Sequence, residues 1–135
     1  MSETVAPGHP CILVVEDNPY NMMLVVAVLE RAGLRSAQTT SAEEARRFIE
    51  RVHPDVILMD IQLPGEDGLS LTRELKTNPT TAHIPIIALT AHAMKGDEVQ
   101  ALAAGCDAYV AKPIDTHTFA TFVTQFLPGQ AKTAA

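Results

Sequence analysis

The sequence predicts an α/β fold: a doubly wound sheet of five parallel strands in the order 2-1-3-4-5. Three observations predict it. Cys11-Ile12-Leu13-Val14-Val15 and Val56-Ile57-Leu58-Met59 are apolar without alternation, as strands buried on both faces must be. Five strand-like runs alternate with five segments of helical spacing, and right-handed crossovers turn such a βα repeat into a parallel sheet with helices on both faces. The first and third runs both end in carboxylates, which face the usual ligand site outside the carboxyl ends of such strands, and the order 2-1-3-4-5 puts the switch point between these two strands.

The first strand stops at Glu16-Asp17 and the turn residues Asn18-Pro19. A helix is expected from Asn21 to Ala32, closed by Gly33, with Leu24, Val25, Val28 and Ala32 on its inner stripe. Met22, Met23 and Val26 exceed what one stripe needs and are expected as adaptable contact surface. Leu34 to Thr39 is a more polar strand, suited to an edge. Ser41 with Glu44 forms a capping box, after which Ala45, Phe48, Ile49 and Val52 follow at helical spacing. The third strand ends at Asp60 and turns at Pro64-Gly65; a helix then runs from Gly68 to Thr77, with Leu71 and Leu75 inward, and breaks at Asn78-Pro79. Ile84 to Thr90 is the fourth strand, its proline near the start where a missing N–H is tolerated. Met94 to Ala104 reads as a helix ended by Gly105, its thin inner face made by Val99, Leu102 and small alanines. Ala108 to Ala111 is the last strand, followed by Lys112-Pro113 and a helix striped by Phe119, Phe122, Val123 and Phe126.

A chain of 135 residues, 47% of them apolar, has room for one well-packed domain. We assign residues 10–127 to it and read 1–9 and 128–135 as short mobile tails rich in small residues, Pro and Gly. The net charge of -6 and the lack of a Lys/Arg cluster exclude the usual electrostatics of nucleic-acid binding. Cys11 and Cys106 read as small buried hydrophobes, outside any zinc or redox motif. No secretory leader or membrane span is visible, so a cytoplasmic location is expected. His9, His53, His83 and His117 are scattered and predict no metal site, and His92 reads as an exposed loop residue.

In the order 2-1-3-4-5 the ends of the first and third strands are neighbours, so Glu16, Asp17 and Asp60 gather beside Thr90 and Lys112 from strands four and five. Two carboxylates about 4 Å apart repel by roughly 4 kcal/mol at an effective dielectric of ~20, so three require a cation. Hard oxygen donors with room for water favour Mg²⁺, with Mn²⁺ as a substitute. Lys112 adds a second positive charge. Such a site can hold the negative charge of a phosphoryl group transferred onto Asp60 as an acyl phosphate. Taken singly, Thr90 is an ordinary strand-end residue, Lys112 a surface lysine and Tyr109 a half-buried filler; the set gives them meaning.

The set Glu16-Asp17, Asp60, Thr90 and Lys112-Pro113 resembles the receiver domain of two-component response regulators, a flavodoxin-like (βα)5 fold, over about Cys11 to Leu127. Leu58 to Pro64 and Ala111 to Ile114 resemble the family closely, and Ala82 to Pro85 with Ala88 to Glu98 further resembles single-domain regulators of the DivK type. The resemblance implies that Asp60 accepts phosphate from a phosphohistidine on a histidine kinase or histidine phosphotransfer protein. It implies that Glu16, Asp17, Asp60 and the Gln62 backbone carbonyl hold Mg²⁺, and that Thr90 and Lys112 grip the phosphoryl oxygens. Thr90 and Tyr109 would form the switch, Lys112-Pro113 a cis peptide, and Met22, Met23 and Val26 the docking surface for the phosphodonor. Output through protein contact follows, to a downstream kinase or another protein target and without nucleic acid or membrane, from a monomer or weak homodimer.

Alternatives stay open. A haloacid-dehalogenase-type phosphohydrolase also uses a strand-end Asp but has a second acid two residues on, where this chain has Gln62; turnover chemistry is therefore not expected. A receiver cut from a hybrid histidine kinase would carry the same motifs. A phosphorylation-independent adaptor would keep the fold for its surface alone.

Overall fold

The computed structural model describes residues 11–63, 65–66, 68–90 and 95–127. The expected tails at 1–9 and 128–135, and Pro64, His92 and Met94, lie outside the described residues. The elements in chain order are β1 (Ile12–Val15), α1 (Pro19–Arg31), β2 (Ser36–Thr39), α2 (Ala42–Arg51) and β3 (Val56–Asp60), then α3 (Gly68–Thr77), β4 (Ile86–Thr90), α4 (Lys95–Ala104), β5 (Ala108–Ala111) and α5 (Phe119–Thr124). The strands form one parallel sheet in the predicted order, β2-β1-β3-β4-β5. Its central strands are inaccessible to solvent on both faces from Val56 to Met59 and from Ile86 to Leu89, which is why neither run alternates. One face is closed by α2, α3 and α4, the other by α1 and α5. Among the described residues no helix is long and apolar enough to cross a membrane.

Local chemistry sets the helix boundaries. Asn18 Oδ1 accepts the N–H of Asn21 at 3.0 Å with Pro19 at the first position, so α1 begins two residues before the expected Asn21. Past its end at Arg31 the chain leaves through Gly33, whose φ of +78° favours glycine. The inner stripe of α1 is Val25, Val28 and Leu29. Ala32, expected inward, is the exposed C-cap, and Leu24 is half-buried. Ser41 Oγ accepts the N–H of Glu44 at 3.1 Å, as a capping box requires, but the Glu44 carboxylate reaches one residue further back, to the N–H and hydroxyl of Thr40 at 2.8 and 3.0 Å.

The inner face of α4 differs from expectation. Val99 is 65% and Leu102 47% exposed, whereas Ala101 and Ala104 are buried against the α2–α3–α4 face of the sheet. A helix that turns alanines inward brings its backbone close to the layer beneath, and the larger side chains are left on the outside. In α5, Phe119 and Val123 are buried, while Phe122 and Phe126 are half-buried and meet edge to face at 5.4 Å. Phe126 lies beyond the end of that helix.

Candidate functional site

Parallel register brings the residues together. Val15 pairs with Met59, Asp60 with Leu89 and Thr90 with Ala111, so Glu16 just after β1, Asp60 and Thr90 at the ends of β3 and β4, and Lys112 just after β5 come out along the same edge of the sheet. Glu16, Asp60 and Thr90 are buried, with 0%, 3% and 0% exposure, and Asp17 stands exposed at the rim. Carboxylate oxygens of Glu16, Asp17 and Asp60 all lie within 4.8 Å of one another, the one such group of three metal-ligating side chains among the described residues.

Each buried acid is held by one backbone amide and one ammonium. Glu16 Oε2 accepts the N–H of Asn18 at 3.1 Å, and Asp60 Oδ1 accepts the N–H of Gln62 at 2.9 Å. Between them, Lys112 Nζ lies 2.7 Å from Glu16 Oε1 and 3.3 Å from Asp60 Oδ2. The Lys112 N–H donates to the Thr90 carbonyl at 2.7 Å, and the Lys112–Pro113 peptide is cis. Burial, reinforced by the nearby Glu16 charge, pushes the Asp60 carboxyl up to about 6; the Gln62 N–H and Lys112 pull against that rise. One ammonium therefore serves two buried carboxylates with a third at the rim. That surplus of hard anionic oxygens fits a small divalent cation such as Mg²⁺, and the donor set admits Mn²⁺ as well.

Two further features flank the cleft. Met22, Met23 and Val26 line a groove of about 530 Å³ that continues from Glu16 and Asp17 toward Thr40, with Met23 62% exposed at its edge. Tyr109 is half-buried, packed against the cluster under α4, and borders a second groove of about 500 Å³ with Val110, Phe119 and Phe122.

Two features escaped the sequence reading, one at the site and one away from it. A Cβ on Gly68 would lie 2.3 Å from the Asp60 carbonyl, so the first turn of α3 packs directly on the backbone of the central acid, a position open only to glycine. Asp-Gly at a loop-to-helix junction is the signal that could have found it. The histidines are not all scattered: the exposed rings of His53 and His83 stand 6.2 Å apart, ahead of β3 and β4 and away from the acids.

The profile of the response regulator receiver domain matches residues 12–124. The polar-differentiation response regulator DivK of Brucella ovis is 44% identical over 116 residues, covering 86% of this chain and 94% of that protein. The receiver domain of a Pseudomonas aeruginosa sensor histidine kinase, solved with magnesium coordinated in its active-site cleft, superposes with a TM-score of 0.80 at 39% identity, covering 88% of this chain and 98% of that one. The receiver domain of a histidine kinase from Syntrophus aciditrophicus gives 0.81 at 34% identity, covering 89% and 91%. Sheet order, strand-end acids and overall similarity agree: the chain belongs to the response regulator receiver domain family.

Proposed function

We propose that this receiver takes a phosphoryl group onto Asp60 from a phosphohistidine of a histidine kinase or histidine phosphotransfer protein, and signals by protein contact. The observation that carries the reading is the buried Asp60 carboxylate, with an ammonium 3.3 Å away and two more acids within 4.8 Å. In the transfer an Asp60 oxygen attacks phosphorus, the P–N bond to the imidazole breaks as the P–O bond forms, and the leaving ring nitrogen takes a proton from solvent. Glu16, Asp17, Asp60 and the Gln62 carbonyl would hold Mg²⁺, which supplies neutralising charge for the phosphoryl oxygens.

Lys112 supports the same charge from the other side, and Thr90 offers a hydroxyl donor at the next strand end. Thr90 and Tyr109 form the switch: a hydroxyl drawn to the phosphoryl group leaves space into which the half-buried ring moves, reshaping α4, β5 and α5. The thin alanine seam under α4 makes that helix the element most easily shifted. Met22, Met23 and Val26, beside Asp17, suit docking of an apolar helix from the phosphodonor. The role is that of a signalling protein without external turnover, acting on a downstream kinase or another protein as a monomer or weak homodimer. The 39% identity to a kinase-borne receiver supports a second setting, as part of a hybrid kinase, for the same chemistry.

Incubation with Mg²⁺ and acetyl phosphate, read by intact-mass spectrometry, tests the proposal. One alkali-labile phosphoryl adduct, absent without Mg²⁺ and absent in Asp60→Ala, is expected. A chain that stays unlabelled where an authentic receiver labels would move the adaptor reading to the front.

A further inference from the structure

Arg46 lies on α2, outside the acidic cleft, and its guanidinium serves two acids on different elements. Nε and Nη2 grip both oxygens of Glu74 on α3, at 2.8 and 2.9 Å, and Nη2 also reaches Glu66 Oε2 at 2.8 Å. The bidentate grip fixes the plane of the guanidinium, which aims the second N–H of Nη2 at Glu66. Arg46 itself is held by its neighbours Ala45, Phe48 and Ile49, all buried in the sheet-facing side of α2.

Glu66 belongs to the loop between β3 and α3, the loop that carries Gln62. Near its start this loop is held by buried Ile61 and Leu63 and by the Gln62 N–H on Asp60; at its end the Gly68 N–H donates to the Ile61 carbonyl at 3.2 Å. Between these points Gly65 is exposed and takes a φ of +81°. Among the described residues, Arg46–Glu66 is the one ion pair that ties the outer part of the loop to another element.

We infer that Arg46 is a positioning residue, which straps the β3–α3 loop through Glu66 and so fixes the Gln62 carbonyl for the divalent cation. The inference rests on the metal site proposed above and concerns cation affinity, while the phosphoryl chemistry of Asp60 at saturating Mg²⁺ is unaffected. Glu74 orients the guanidinium and joins α2 to α3, but Glu66 alone makes the contact with the loop. Loss of a partly exposed ion pair predicts Mg²⁺ binding weaker by about two- to fivefold.

Mg²⁺ titration by calorimetry on the wild type, Arg46→Met, Glu66→Gln and Glu74→Gln, with thermal unfolding and amide hydrogen exchange on each, tests it. Arg46→Met and Glu66→Gln should weaken Mg²⁺ to the same extent, and the double variant no further. Both should speed exchange at Gly65 and Glu66 in metal-free protein. Glu74→Gln should lower thermal stability with a smaller change in Mg²⁺ affinity. Phosphorylation at saturating Mg²⁺ should keep its wild-type rate throughout. Wild-type affinity in Glu66→Gln, or equal weakening in Glu74→Gln and Glu66→Gln, would overturn the strap. Wild-type protein that binds no Mg²⁺ in an Asp17-dependent way would overturn the metal site, and the strap with it.

Discussion

Both ends of the sheet carry aspartates, and the two sets do opposite work. Where the strands begin, Asp55 accepts the N–H of Cys11 at 2.7 Å, and Asp107 accepts the N–H of Ile86 at 2.8 Å and the Lys76 ammonium at 2.9 Å. These acids bond to donors that the chain itself supplies, and they join neighbouring elements. Where the strands end, Glu16, Asp17 and Asp60 face one another across less than 4.8 Å with Lys112 between the buried pair. An acid just before a strand thus closes a backbone bond, whereas acids at the ends of adjacent strands accumulate charge that a ligand can relieve. The first set stabilises the fold; the second makes the metal-free fold less stable than it could be, which is typical of functional sites.

Neutralising a buried acid should therefore stabilise the protein at the end where the strands finish, and removing an acid should destabilise it where they begin, while removing the cation between the buried acids should cost most of all. Lys112→Met has the largest effect: it leaves Glu16 and Asp60 buried beside each other without their ammonium, a loss of about 3–5 kcal/mol in urea unfolding of metal-free protein. Added Mg²⁺ should return part of it. Asp60→Asn should stabilise the metal-free protein at neutral pH. The folded carboxyl titrates near 6 against an ordinary 3.8, so the native state holds its proton more tightly than the unfolded chain. Its contribution is therefore greatest at low pH and is lost as pH rises through about 6. The gain of Asp60→Asn over wild type should grow from near zero at low pH to roughly 2 kcal/mol at pH 7, after allowance for water in the cleft. A gain that does not grow with pH would deny the burial cost on Asp60.

At the opposite end, Asp107→Ala should destabilise by about 1–3 kcal/mol, because the Ile86 N–H loses its partner. A neutral result there would erase the contrast between the two ends. The smallest effect belongs to Asp17→Asn: at an exposed rim position it should change metal-free stability by no more than about 0.5 kcal/mol. Mg²⁺ should raise the melting temperature of the wild type, and the same variant should abolish that rise.

Much of this arrangement was legible in the sequence because buried parallel strands announce themselves. Apolar runs located β1, β3 and β4, and the acids that end the first two needed only the sheet order to be brought together. Helix α3 was bounded by Gly68 and Asn78-Pro79, so its range, Gly68–Thr77, matched the expectation. The orientation of α4 was not legible, since hydrophobicity favours Val99 and Leu102 for the inside whereas close packing selected Ala101 and Ala104. The start of α1 was missed because capping by Asn18 outweighs the apolar spacing that begins later.

Side-chain pairings over long separations were the least legible part. Lys112 and Glu16, 96 residues apart, meet through parallel register, which the strand order implied. Arg46, Glu66 and Glu74 gave no such signal: each reads alone as a solvated charge on a helix or loop, and only the packing of α2 beside α3 brings them together.

The most direct test is to locate the phosphoryl group. The chain would be phosphorylated with acetyl phosphate and Mg²⁺, and the acyl phosphate reduced with borohydride, which converts that aspartate to homoserine and releases phosphate. Peptide mass mapping then finds the reduced residue. Homoserine is expected at position 60 alone, with none at 55 or 107. Reduction at another acid, or phosphate retained on a histidine with position 60 unmodified, would contradict it.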